Sequence, residues 1–249
     1  LDTSTLPMDE LPWVRAHAIS GNGEVVLGTS NFTNMYAWVK EGKAIDLTAK
    51  YGASSAYAVN ADGHRVALSL VDPESFQGKG VALWDHAKGL TPIGSLKWCK
   101  DVPYVSWFGG DLCATMTPEE IEASVGMPPV EVFDMSDDGS ILIGRSGSFF
   151  TGFSGALWIE QIGWMTWDEF FRKQGVVEAA NTPFANPISI SGNGQRVTGG
   201  MPGVSFSWLV EMGQVYVCER GKSLPIDFPN GLRAKLAQGA KFGRCQHLD

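Results

Sequence analysis

The chain has 249 residues, enough for one large domain or two small ones with a real core. Hydrophobic residues make up 44% and charged residues only 18%, which excludes a disordered tail and a charge-laced coiled coil. A net charge of −8, from 19 basic and 27 acidic residues, argues against a phosphate-binding surface and so against nucleic acid as a partner.

No apolar run approaches the roughly 18–20 residues that cross a bilayer, so no membrane span is expected. The 30 glycines, 9 tryptophans and 13 phenylalanines suit many short strands joined by tight turns.

In chain order, four segments align on an apolar-Ser/Asn-x-Asn/Asp-Gly core. They are Ala18-Ile19-Ser20-Gly21-Asn22-Gly23, Ala58-Val59-Asn60-Ala61-Asp62-Gly63, Asp134-Met135-Ser136-Asp137-Asp138-Gly139 and Ser189-Ile190-Ser191-Gly192-Asn193-Gly194. Asn-Gly and Asp-Gly supply the positive φ that a type I′ turn needs, so each core predicts a hairpin tip. A short aliphatic strand follows each, over 24–27, 64–68, 140–143 and 195–198. Three copies then place a glycine five positions after the turn glycine (Gly28, Gly144, Gly199), where the second copy has Leu68. Each copy next reaches a tryptophan, Trp38, Trp84, Trp158 or Trp208, whose flat side chain is expected where neighbouring sheets stack.

These motifs resemble the bacterial extracellular proteins with HAF repeats. Their repeats read approximately as Ala-x-Ala-Ile-Ser-x-Asp-Gly-x-Val-Val-Gly followed by Ala-Phe-x-Trp. The likeness covers most of residues 12–210, and Ala156 to Trp208 is especially similar to a last repeat. The resemblance implies an all-β, β-propeller-like repeat of four-stranded blades with short helical insertions. It implies almost nothing about chemistry.

Turn glycines are separated by 40, 76 and 55 residues, against the roughly 40–50 that a blade needs, so the second interval holds an insertion. Leu6 to Val14 reads as the outgoing edge of a preceding blade. The expected organisation is a repeat domain over 1–212, with an insertion loop at 97–129, and a C-terminal cap over 213–249. A sandwich or open barrel stays open as an alternative.

The insertion holds Cys99, Cys113, Tyr104, Trp107 and Phe108, then a helix start at Thr117-Pro118-Glu119-Glu120. Its aromatics either stack on a sugar ring or a partner's apolar surface, or plug a gap against the next blade. Thr166 to Gly175 predicts a helix whose Trp167, Phe170 and Phe171 form a packing stripe. The segment 217–245 departs from the repeat. It carries Arg220, Lys222, Arg233, Lys235, Lys241 and Arg244, read as one basic patch or a solvated face.

The four cysteines sit in no CxxC pair and have no histidine at zinc-ligand spacing, so no metal is expected. Their spacing suggests local disulfides Cys99–Cys113 and Cys218–Cys245, each worth ~3 kcal/mol in the chain-entropy model. Disulfides point to an extracellular or periplasmic protein. A start at Leu1 rather than Met fits a processed or truncated N-terminus.

No nucleophile elbow, HExxH or P-loop is present, and no cofactor is implied. Asp134, Ser136 and Asp138 superficially resemble calcium-loop ligands, but Arg145 stands at the acidic twelfth position.

The expected function is a non-catalytic module that recognises a glycan or an envelope protein through Tyr104, Trp107 and Phe108, with Arg145 nearby. The rivals are an extracellular glycan lyase or hydrolase using His17, His64, Asp62 or Asp138, and a subunit whose ring is completed by another chain or upstream blades.

Overall fold

The computed structural model describes residues 14–30, 34–40, 42, 44–104, 111–148, 152–176, 186–200 and 207–245. The first sheet is β1 (Val14–Ile19), β2 (Val25–Ser30), β3 (Asn34–Val39) and β4 (Ala44–Asp46). The second is β5 (Ala53–Val59), β6 (Val66–Val71), β7 (Gly78–Asp85) and β8 (Gly89–Gly94). The third is β9 (Val130–Met135), β10 (Ile141–Ser148), β11 (Gly152–Ile159) and β12 (Gly163–Thr166). Each is an antiparallel meander in sequence order. A fourth sheet has three strands, β13 (Asn186–Ile190), β14 (Arg196–Gly200) and β15 (Ser207–Glu211).

The first strands of consecutive sheets lie beside one another: β1 against β5, β5 against β9, β9 against β13. The chain is an all-β, propeller-like repeat.

The hairpin tips explain the repeat's polar residues and correct the turn type. Only the glycine of each tip is left-handed, at φ 72°, 76°, 66° and 73° for Gly23, Gly63, Gly139 and Gly194. The residue before it is not, so these are wider loops built on an i to i+3 turn rather than type I′. The first bond is Gly23 N–H to the Ser20 carbonyl, 2.9 Å, and the other tips repeat it. Side chains satisfy the rest. Ser20, Asn60, Ser136 and Ser191 accept from the N–H five residues on, at 2.9–3.1 Å. Asn22, Asp62, Asp138 and Asn193 accept from the N–H two residues on, at 2.8–3.1 Å. A small hydroxyl or amide and an Asx residue are both needed at their places.

The tips also tie the sheets together. Asn22 N–H donates to Ala61 O at 2.9 Å, Ala61 N–H to Asp137 O at 3.0 Å, and Asp137 N–H to Gly192 O at 2.8 Å. Three backbone bonds thus link four tips in a row.

Apolar faces fill the gaps between sheets. Leu27, Leu68 and Trp84 share a cluster between the first two sheets, and Val132, Leu142 and Trp158 lie in the next. All four repeat tryptophans are buried. The third and fourth sheets share their core with a C-terminal sheet of β16 (Gln214–Glu219), β17 (Lys222–Asp227) and β18 (Lys241–Phe242). A last helix, Asn230–Ala237, packs on that sheet.

The insertion between the second and third sheets carries a short helix, Pro118–Val125, with the reciprocal Thr117/Glu120 capping box. The helix at Trp167–Gln174 starts from Thr166 and stops at left-handed Gly175. Both disulfides form, Cys99–Cys113 and Cys218–Cys245.

Candidate functional site on the innermost strands

Each of the four repeat sheets carries a β-bulge at one place on its innermost strand. In β1 the ladder passes from Ala16↔Gly28 to Ala18↔Leu27, leaving His17 as the extra residue. In β9 and β13 the same break leaves Phe133 and Ile188. In β5, Ala56 and Tyr57 together oppose Leu68. A bulge re-aims a side chain out of the pleat and is a recurrent device beside functional sites.

The repeat glycine is the other half of this device. A Cβ on Gly28, Gly144 or Gly199 would lie 2.2–2.4 Å from the carbonyl oxygen of Arg15, Glu131 or Asn186, two residues before the bulge. Only a hydrogen fits there.

Two of the re-aimed side chains meet. His17 meets Tyr57 edge-on, with ring centroids 4.9 Å apart. Burial and the Glu131 carboxylate push the Tyr57 phenol up. Burial and Arg15 together lower the His17 imidazole, whose Nε2 lies 2.9 Å from Thr29 Oγ1. Thr29 is buried, so that hydroxyl is closed to a substrate.

Arg145, on β10, lies with its guanidinium 5.3 Å from the Phe133 ring and 4.3 Å from Phe153. Its Nε and Nη2 donate to Glu131 Oε2 at 3.0 and 2.9 Å, and Nη1 donates to Asn186 Oδ1 at 3.0 Å. That bond fixes the orientation of the Asn186 amide. Its Nδ2 is left buried with no hydrogen-bond partner among the described residues. An unmatched donor of this kind costs about 1–3 kcal/mol, a penalty that an acceptor relieves. The four inner strands therefore carry an aromatic and apolar row beside a rigid Arg–Glu–Asn array.

The sequence-derived candidates distribute unevenly. Arg145 belongs to this strip. Tyr104 is half-buried and packs edge-on against Trp98, centroids 4.9 Å apart, with its N–H 3.4 Å from the Cys113 sulfur. Trp107 and Phe108 lie outside the described residues.

Asp62 and Asp138 serve their own hairpin tips and do not join His17 on the strip. Nor does the calcium-like trio form a ligand set. Asp134 accepts from the Ser189 hydroxyl and the Ile190 N–H, both at 2.9 Å, and so bridges the third and fourth sheets. Of the six cations of the expected basic patch, two have acidic partners among the described residues and a third stacks on an aromatic ring. Arg233 pairs with Asp138 at 2.7 Å, Lys235 with Glu219 at 2.8 Å, and Arg244 stacks 3.8 Å from the Tyr216 ring.

Tyr57, Phe133, Glu131 and Asn186 were passed over in the sequence. The available signal was the variable position of Ala-x-Ala, three residues ahead of the Ser/Asn that opens each tip.

Asp138 gives a pH prediction. Burial opposes its ionised form, but the Ser140 hydroxyl and N–H, the Ser136 hydroxyl and Arg233 outweigh it and hold the carboxyl at about 2. A folded value below the unfolded value of about 3.9 contributes stability that is present above pH ~4 and is lost as pH falls towards ~2. The gap in unfolding free energy between wild type and Asp138→Asn is expected to be constant above pH 4 and to narrow on acidification, read by urea unfolding at each pH.

No protein-family model matches the chain, and no curated protein matches it. Among solved structures, it resembles TolB from Acinetobacter baumannii at 10% identity and TM-score 0.45, over 86% of this chain and 42% of that one. A structure from Agrobacterium tumefaciens assigned to TolB gives 12% identity and TM-score 0.45, over 94% and 62%. The β-propeller domain of the Trilobed protease from Pyrococcus furiosus gives 10% identity and TM-score 0.41, over 86% and 56%. The chain thus spans less than two thirds of each. Similarity of this degree carries no argument about function. No helix among the described residues is long and apolar enough to cross a membrane.

Proposed function

We propose that this chain is a secreted, non-catalytic module of the HAF-repeat type that recognises a glycan or an envelope protein through its innermost strands. The supporting observation is the shared bulge, which places His17, Tyr57, Phe133 and Ile188 at one position of the first strands of four successive sheets. The bulge recurs at one place in four sheets, with a close-fitting glycine opposite it in three and Leu68 in the second, which supports a role beyond packing. Aromatic faces beside Arg145, Glu131 and Asn186 suit a sugar or another flat polar group, which combines an apolar face with hydroxyls. The two disulfides fit an oxidising compartment.

The test is binding of the purified protein to an array of bacterial surface glycans and to immobilised envelope extract. Tyr57→Ala and Arg145→Ala are each expected to weaken binding at least tenfold with the fold retained. Wild-type-like binding by both variants, with loss in Trp107→Ala, would move the site to the insertion loop.

A second reading, a subunit of a larger ring, is favoured by the fourth sheet. Its Leu209 is 58% exposed, in line with Ser189 and Thr198 across the ladder. Sizing by light scattering tests it: a dimer or a stable complex with a second polypeptide supports the assembly, and a monomer in native extract argues against it.

A further inference from the structure

The residue after each repeat's turn glycine faces a partner across the hairpin, at one equivalent place in each of the four repeat sheets. In the first sheet the pair is Glu24 with Lys40, an ion pair at 3.6 Å. In the third and fourth sheets Glu160 N–H and Met212 N–H bond back to the carbonyls of Ser140 and Gln195. In the second sheet the ladder runs through Val66↔Trp84, so the pair two steps further on is His64 with His86. Their rings stack with centroids 5.5 Å apart and planes inclined by 17°. This is the one tip whose cross-strand pair is two imidazoles.

Asp85 completes the group. Its Oδ1 accepts from the N–H groups of Ala87 and Lys88 at 2.7 and 3.1 Å, which fixes the carboxylate plane. Its Oδ2 is thereby held 3.4 Å from His64 Nδ1. One ligand atom from each of His64, Asp85 and His86 lies within 4.8 Å of the other two. Ligand atoms around a tetrahedral ion at 2.0–2.2 Å stand about 3.3 Å apart. The His64–Asp85 separation already matches this, and both imidazoles are exposed, so small rotations bring the third atom in. Asp85 is buried and anchored, which supplies the fixed end that surface histidines lack. Among the described residues Lys88 is the one cation paired with Asp85 Oδ2, at 3.6 Å, and its side chain is 82% exposed and free to swing out.

We propose that His64, His86 and Asp85 bind one divalent first-row transition-metal ion of the Zn²⁺ or Ni²⁺ class, with water in the remaining positions. Two imidazoles and one carboxylate are a donor set for such ions, whereas the all-oxygen preference of Ca²⁺ and Mg²⁺ excludes them here. The Ala87 and Lys88 N–H groups act as the outer shell that orients the carboxylate.

Titration calorimetry on untagged protein tests this with ZnCl₂ and NiCl₂, and with CaCl₂ as the contrast. One ion per chain is expected for wild type, with affinity reduced at least tenfold in His86→Gln and binding abolished in the His64→Gln/His86→Gln pair. Lys88→Ala is expected to tighten binding, a gain that loss of folding cannot mimic. Full-strength binding by the double variant, absence of binding by wild type, or equal binding of Ca²⁺ would each overturn the proposal.

Discussion

Gly144→Ala is expected to lower the unfolding free energy by about 3 kcal/mol or more, although it adds a single methyl group. The added carbon would stand 2.2 Å from Glu131 O and 3.0 Å from Val132 Cα, both backbone atoms that no rotamer change removes. Relief requires β9 and β10 to separate or the bulge at Phe133 to be undone, and either route breaks the ladder of the third sheet. The bulge also sets the position of Phe133 beneath Arg145, so the surviving folded protein is expected to lose ligand binding too. Gly213→Ala is the control. Nothing lies within 4 Å of its would-be Cβ, and its effect is expected within about 0.5 kcal/mol. Chemical denaturation of both variants against wild type decides the matter, and equal stabilities would sink the account of the repeat glycine.

Trp167→Ala is expected to cost about 3–5 kcal/mol, the range for truncating a buried aromatic. Trp167 is the first residue of the helix Trp167–Gln174 and is 1% exposed. Its ring meets Phe170 edge-on at 5.6 Å and lies tilted against Phe171 at 5.9 Å, inside the cluster that joins the third and fourth sheets to the C-terminal one. The same helix holds that sheet at its other end, where Gln174 O accepts from Arg244 Nε at 2.9 Å. Loss of the indole therefore loosens two contacts at once. Trp167→Phe is expected to cost clearly less, because it refills most of the space and removes a buried indole N–H that has no hydrogen-bond partner among the described residues. Urea unfolding followed by near-ultraviolet circular dichroism reads both. A larger loss for the phenylalanine variant than for alanine would contradict this picture.

Local features were legible from the sequence because their causes are local. The tips are specified by an Asx residue, a serine or asparagine and a glycine within six residues, all of which bond to their own loop. The helix caps at Thr117 and Thr166 and the loop-closing cysteines belong to the same class. The turn type went wrong because Asn-Gly and Asp-Gly serve both two-residue and wider loops. Bonds from Ser20 and its equivalents across the whole loop select the wider one.

The site had a different fate. Arg145 is legible in the sequence only as a polar residue near the insertion-loop aromatics; its partners Glu131 and Asn186 lie on other strands, and Asn186 on another sheet. His64 and His86 are 22 positions apart in the chain and meet only because β6 and β7 align Val66 with Trp84.

Sequence alone thus determined the repeat, its hairpins, its helix caps and the burial of one tryptophan in each of the four repeats, all set by short-range hydrogen bonding and apolar alternation. The tertiary structure alone decided which variable residues stand together. Strand register and the one-residue bulge convert distant positions into neighbours, and no spacing along the chain encodes that step.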